Sequence, residues 1–222
     1  LAADRAELEM QPGRGIGRSV LLSGNVLVER DRKEDAQRLE TSQLELVFSA
    51  ASTPRSWQLE RGEMPASARV LWKNATQSTQ VRAQRLTTFF DALSQIRELR
   101  GQSGVEVQRS VPGGPELHAT SRELVVRFGP RGEWSDMEQT GSVRVRHGDR
   151  TAQAERSRIV RATDTATLDG SVVLSDPEAR TTARNTSFNQ RTGEARAEGK
   201  YQAVMDGKIR RRVDGADHGK LE

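Results

Sequence analysis

The residues best suited to chemistry are few and scattered. The three histidines, His118, His147 and His218, stand far apart, and none has a metal-ligating neighbour at helical or strand spacing. His147 lies in "RHGDR", a polar stretch that reads as a turn with a solvated imidazole. Carboxylates cluster in "SDMEQ" and "LSDPE". Acid–base catalysis needs two of them converging on one bond, and these are expected in turns on the wet side. A serine-hydrolase elbow, a phosphate-cradling loop and a dinucleotide fingerprint are all missing. "GRGIG", 13–17, opens no helix and reads as a flexible lead-in. There is no cysteine, hence neither a disulfide framework nor a cysteine-based metal site. The expectation is a protein without catalytic residues, metal or cofactor.

Charge points to few partners. Basic residues number 35 against 31 acidic ones, a net charge of +4, and the isoelectric point is about 9.9. The two signs are interspersed, as in "RVRHGDRTAQAERSR"; the one tight basic run, "KIRRR", 208–212, reads as part of a solvated tail. Sheet-based nucleic-acid binders set aromatics among basic residues on an exposed face. Aromatics are only 4% of this chain, Tyr201 is the single tyrosine, and the phenylalanines mostly fall on the apolar face, so nucleic acid is not expected as a partner. No apolar run is long enough to span a bilayer. The chain opens abruptly with "LAADRAELEM", in which nothing resembles a signal peptide, and whether a targeting or anchoring segment precedes Leu1 is left open by the sequence.

What must position any functional surface is a repeat. Glycines precede short β-branched runs in "SGNVLV" at Gly24, "SGVEVQ" at Gly104, "TGSVRV" at Gly141 and "DGSVVL" at Gly170. A degenerate copy, "EGKYQA", stands at Gly199, and a weaker one, "LERGEMPASARVLW", places Gly62 in the first large gap. Between the glycines a small residue is followed five positions later by an apolar one: Ala119 to Leu124, Ala154 to Ile159, Ala183 to Phe188. Internal repetition of this kind signals repeated supersecondary structure rather than one active site.

Within each copy the period is two, the mark of a half-buried strand. Val143 and Val145 share a face that Arg144 and Arg146 avoid; Val172, Leu174 and Leu168 share one that Val173 avoids. Val26 and Val28, Val105 and Val107, and the trios Leu44, Leu46, Phe48 and Leu124, Val126, Phe128 alternate likewise. With Ile159 and Phe188 they are the candidate apolar lining. "RLTTFFDALSQIRELRG", 85–101, fits a helical stripe as well, although its slot in the repeat favours strand, turn and strand. The expected organisation is all-β: a flexible lead-in at 1–17, a repeat domain at 18–205 and a flexible basic tail at 206–222. The first credible strand is 19–29 and the last 193–204.

The serial order of "GNVxV", a turn, "A-x4-L" and "TGE…AxG" resembles the periplasmic lipopolysaccharide-transport bridge proteins, the OstA/LptA/LptC family. The likeness is clearest over about 104–205 and looser back to "VLLSGNVLVE". It implies an elongated, twisted β-jellyroll of two facing antiparallel sheets with an open seam. It also implies a job without catalysis: binding lipopolysaccharide, acyl chains in the seam, and conveying it across the periplasm toward the outer membrane. The implied partners are lipopolysaccharide and related bridge proteins, joined through edge strands, with end-to-end self-association as a further expectation. Membrane contact would come only through partners or a segment preceding Leu1, the protein being periplasmic, either free or anchored in the inner membrane. Two rival readings are a β-solenoid scaffold or polysaccharide-binding protein, and a β-helix glycosidase. A solenoid keeps a constant repeat length, whereas the glycine interval here drifts from about 40 residues to about 30. The glycosidase would need a carboxylate cluster on one face, and none is evident.

Overall fold

A computed structural model describes residues 1–11, 16–32, 35–50, 57–130, 132–189, 192, 194–198, 201–205, 208–212 and 217–220. The strands are β1 (Arg5–Gln11), β2 (Ile16–Arg32), β3 (Asp35–Ala50), β4 (Trp57–Met64), β5 (Ala68–Asn74) and β6 (Ser78–Ala83). Then come β7 (Arg85–Phe90), β8 (Ile96–Ser110), β9 (Leu117–Phe128), β10 (Trp134–His147), β11 (Arg150–Val160) and β12 (Thr165–Ser175). The chain closes with β13 (Ala179–Asn189), β14 (Glu194–Glu198), β15 (Tyr201–Met205), β16 (Lys208–Arg212) and β17 (Asp217–Lys220). One short 3-10 turn, Arg161–Thr163, is the only helical element among the described residues.

Among the described residues all seventeen strands join one antiparallel sheet, but that sheet is folded in two. The long strands bend in the middle, so their halves belong to different layers. The first layer runs β1, 16–23 of β2, 43–50 of β3, β4, β7 and 96–102 of β8. It continues through 123–128 of β9, 134–140 of β10, 156–160 of β11, 165–169 of β12, 185–189 of β13, β14 and β17. The second layer takes the other halves, with β5 and β6 in the position that β4 and β7 hold in the first, and ends in β15 and β16. One apolar cluster joins Leu22, Leu44, Met64, Leu86, Leu99 and Leu124 of the first layer to Val26, Val70, Val81, Val105 and Val107 of the second, so the layers face each other. The architecture is an all-β, jellyroll-like double layer. The chain exposes 14541 Å², against roughly 10,000 Å² for a compact globule of this mass, as an elongated, thin body must.

The bend explains the glycine repeat. On β10 the inner residues Gln139 and Val143 are separated by Thr140, Gly141 and Ser142; on its neighbour β11, Ala154 and Ser157 are separated only by Glu155 and Arg156. The glycine-bearing strand thus carries one extra residue, a β-bulge that turns the ladder. The same offset recurs at Ser23/Val26, Gln102/Val105 and Asp169/Val172. Gly141 and Gly170 both have φ 81°, followed by Ser142 at 55° and Ser171 at 49°. A Cβ on either glycine would lie 2.7 Å from the Cβ of the facing residue, Arg122 or Glu155.

Two copies are placed differently from the glycine alignment. In "SGVEVQ" it is Ser103, φ 62°, that stands where Gly141 and Gly170 stand, and Gly104, φ 69°, stands where the following serines do. In these three bends two consecutive positions have positive φ, and glycine relieves either; in the β2 bend Gly24 alone does, at 93°. In the weak copy the bend is not at Gly62 but at 65–67, "PAS", between Met64 of β4 and Ala68 of β5. Gly62 lies mid-strand opposite Leu46 and Thr88, where an added Cβ would come within 2.8 Å of Thr88 Oγ1. Gly199 lies outside the described residues.

The segment 85–101 is strand, turn and strand: β7, a turn closed by Asp91, and the start of β8. Asp91 Oδ1 accepts from the backbone N–H of Leu93 and of Gln95, both at 2.9 Å. The local charge of "DALSQ" caps a turn and leaves Leu93 exposed, which a helix burying the same stripe would not.

The expected flexible ends correct most. Residues 5–11, placed in a lead-in at 1–17, form β1 and pair with β2 from Arg5↔Ser23 to Gln11↔Ile16. The tail at 206–222 contributes β16 and β17, paired to β15 and β14. The expected first strand, 19–29, is therefore covered by β1 up to Ser23 and bridged by Ala2 at Leu27, while beyond Leu27 β2 pairs only with β3; β14 and β15 are interior, and the edges among the described residues are β1, this outer part of β2, β16 and β17. Charged sequences without apolar period can still form edge strands, because backbone pairing needs no particular side chain.

Candidate binding seam

The inner face of the fold is a set of rows running across the strands, parallel to the line of bends. All seventeen candidate lining residues lie on it. Val26, Leu44, Val105, Leu124, Val143, Leu168 and Val172 occupy the row beside the bend on their respective layers. Val28, Leu46, Val107, Val126, Val145, Ile159, Leu174 and Phe188 form the next row out. Phe48 and Phe128 stand one step further, toward the mouth.

Exposure sorts these rows. Beside the bend nearly every inner residue is buried, from Leu22 and Val26 to Val172 and Ala183. In the second row burial is complete only in the middle strands, at Val70, Val81, Leu99, Val107, Ala119 and Val126. Toward both ends the row opens: Val28, Leu39 and Leu46 on one side, Val145, Ile159 and Leu174 on the other, are half-buried, and Phe188 is 39% exposed. Large side chains fill the middle, with Met64, Leu86, Leu99 and Leu124 fully buried. Over β11–β13 small ones take their place: Ala152, Ala154, Ser157, Ala166, Thr181, Ala183 and Thr186. Apolar burial is thus deepest at the centre, and away from the bend it thins toward both ends, over β2–β3 and over β10–β13.

Among the described residues one aromatic contact spans the mouth. Trp72, on the outermost inner row of the second layer, meets Phe128 of the first with ring centroids 6.4 Å apart and planes tilted by 40°. A tilted aromatic pair of this kind adds about 0.5–1.5 kcal/mol beyond its buried area. Near the bend a polar stitch joins the layers: Gln139 donates from Nε2 to Ser121 Oγ at 3.2 Å, and Ser121 donates to the carbonyl of Glu123 at 2.9 Å.

Sequence reasoning missed part of this lining. Ala68, Val70 and Trp72, and Val81 and Ala83, lie on the inner face of β5 and β6, and the alternation in "ARVLW" and "QVRA" could have found them. Leu86 and Leu99 were hidden by the ambiguous period of 85–101. Leu22, Met64 and Met137 also point inward.

Among the described residues the outer face is charged and brings together no reactive constellation. Glu98, Arg100, Arg127, Asp136 and Arg158 form a chain of ion pairs across β8–β11, with Arg127 Nη1 2.7 Å from Asp136 Oδ1. Such exposed pairs contribute about 0–1 kcal/mol each. Arg61 is hydrogen-bonded to Glu63, which raises its pKa and keeps it charged. Two depressions also lie outside, one lined by Arg38, Glu40, Arg69 and Leu71 and the other by β12–β14 residues such as Asp169, Arg196 and Glu198. Both are shallow and polar and carry no arrangement for catalysis. His118 alternates outward on β9, and His147 ends β10 at the mouth. Among the described residues no group of three histidine, aspartate or glutamate side chains could hold a metal ion. The inner face, by contrast, leaves apolar side chains partly exposed over β10–β13. Neither a comparison with protein-family models nor one with curated proteins finds a match for this chain.

Proposed function

We propose that this protein is a non-catalytic carrier of lipopolysaccharide, a member of the periplasmic bridge proteins that its repeat resembles. The observation that carries the reading is the open stretch of the inner face over β10–β13. There Val145, Ile159, Leu168, Leu174 and Phe188 remain partly exposed although they alternate onto the face that is core elsewhere. Each CH₂ of an acyl chain withdrawn from water gains about 0.8 kcal/mol. A trough lined by these residues supplies that gain without any reacting group. The same reading has the protein work in the periplasm and pass its cargo along neighbours docked on its free strand edges.

A repeat of stacked β-solenoid coils fits less well, since such coils pair in parallel and every strand pairing here is antiparallel. The test is photo-crosslinking from Val145, on the trough, and from Arg144, its outward neighbour, in the presence of lipopolysaccharide. Capture from Val145 alone is expected. Equal capture from both, or from neither while the protein is folded, overturns the reading.

A further inference from the structure

Arg109 is out of place. Val105 and Val107 precede it on the inner face of β8, and the alternation that buries them brings Arg109 onto the same face. Its row holds Trp72, Thr79 and Leu117, through the pairings Trp72↔Thr79, Thr79↔Arg109 and Arg109↔Leu117. The side chain is half-buried, and its Nε is shut off from solvent with no hydrogen-bond partner. None of the ion pairs among the described residues includes it. This contrasts with Arg38, Arg61, Arg69, Arg100 and Arg127 on the outer face, all of which have carboxylate partners.

A guanidinium that only lays its stem over an apolar rim keeps its head in water. Arg109 is covered only at Nε, and among the described residues no carboxylate holds its terminal nitrogens, which leaves that end of the fork for a partner that arrives. Two further side chains of the same row, His147 and Arg150, follow Leu117 across β10 and β11. At about 4.8 Å per strand, His147 lies roughly 10 Å from Arg109 and Arg150 one strand beyond. The aromatic contact of Trp72 with Phe128 lies a similar distance to the other side.

We propose that Arg109 is the anion-recognition residue of the seam mouth, taking a phosphate-class oxyanion through its guanidinium while an attached apolar chain lies against Trp72, Leu117 and Phe128. The proposal rests on the lipid-carrying reading for the apolar chain, but not for the anion. Arginine suits the role because its planar fork meets two oxygens of a phosphate at once. Bound this way, an amphipath has one orientation: headgroup at the rim of the second layer, chain directed inward.

The experiment uses isothermal titration of the full chain with three probes below their micelle concentrations: dodecyl phosphate, an uncharged dodecyl glycoside and inorganic phosphate. Wild type is compared with Arg109→Gln, Arg109→Lys and, as a control for net charge, the outward Arg144→Gln. Wild type is expected to prefer dodecyl phosphate over the glycoside by about ten-fold or more. Arg109→Gln should bring the two within about two-fold without weakening the glycoside, Arg109→Lys should keep part of the preference, and Arg144→Gln should keep all of it. Thermal melting checks that each variant is folded; should Arg109→Gln unfold, Arg109→Met retains the apolar stem and serves instead. Equal affinity of wild type for both lipids, or the same loss in Arg144→Gln as in Arg109→Gln, overturns the proposal while leaving lipid carriage standing. Saturable binding of inorganic phosphate alone, lost in Arg109→Gln, with neither lipid bound, keeps the anion site as one for a free oxyanion and removes lipid carriage. No binding of any probe removes both.

Discussion

Gly141 and Gly104 occupy neighbouring positions of equivalent bends yet should respond differently to a methyl group. Both have positive φ, 81° and 69°, which costs an L-residue about 1–2 kcal/mol. Gly141 also faces the Cβ of Arg122 at 2.7 Å from where its own would stand, whereas Gly104 has only Gln84 Nε2 at 3.9 Å. Gly141→Ala should therefore destabilise by about 2–3 kcal/mol and Gly104→Ala by about 1 kcal/mol, read from urea midpoints at constant m-value. The apolar residues divide in the same manner. Leu86 is fully buried in the packed centre, and Leu86→Ala should cost about 3 kcal/mol. Ile159, half-exposed on the trough, should lose only about 1 kcal/mol on truncation to Ala. Comparable losses at the two sites would mean that the trough is core.

At the scale of elements, the free edges determine what the molecule can join. Ala197 looks like an edge position from the sequence but lies between Thr186 of β13 and Asp217 of β17. A proline there would break an interior ladder and report on folding rather than assembly. At the other end the first layer is edged by β1 and the second by β2 beyond Leu27; on β1, Leu8 pairs with Val20 on the inner face and is 53% exposed. Unpaired backbone groups along β1 form a template for another strand, and an inward-pointing charge is a natural way to blunt such an edge. Light scattering over a concentration series should show growth for the wild-type chain and none for Leu8→Lys. Growth that survives Leu8→Lys unchanged would exclude β1 as the contact.

Over the whole molecule, a packed centre flanked by open ends predicts a gradient of protection. β7–β9 surround Leu86, Leu99, Val105 and Leu124 and pair on both sides along their length. Their amides should exchange slowest, approaching the global unfolding free energy, while β14–β17 exchange by local opening. Lipid that fills the trough should slow exchange chiefly in β10–β13. Slowing confined to β7–β9 would place the cargo elsewhere.

The sequence by itself determined everything that rests on neighbours in the chain. Alternation at Val143–Val145 and Val172–Leu174 assigned faces, because side chains of a strand point to opposite sides whatever the sheet does. The glycines at 141 and 170 marked the repeat, because recurrence is read along the chain, whereas the bend that they make there is seen only in the structure. Tertiary structure decided what depends on strands meeting. Only cross-strand register shows that Ser103 rather than Gly104 matches Gly141, that "PAS" rather than Gly62 turns the second copy, and that 85–101 is strand and turn. Only pairing with β2, β14 and β15 recruits the charged ends into the sheet, since backbone hydrogen bonds carry no sequence signal. The gradient of apolar burial from centre to ends, the Trp72–Phe128 contact and the unpartnered Nε of Arg109 likewise follow from the distance between two layers. That distance is set by the sum of inner side-chain volumes along the fold: large in the centre, small over β11–β13.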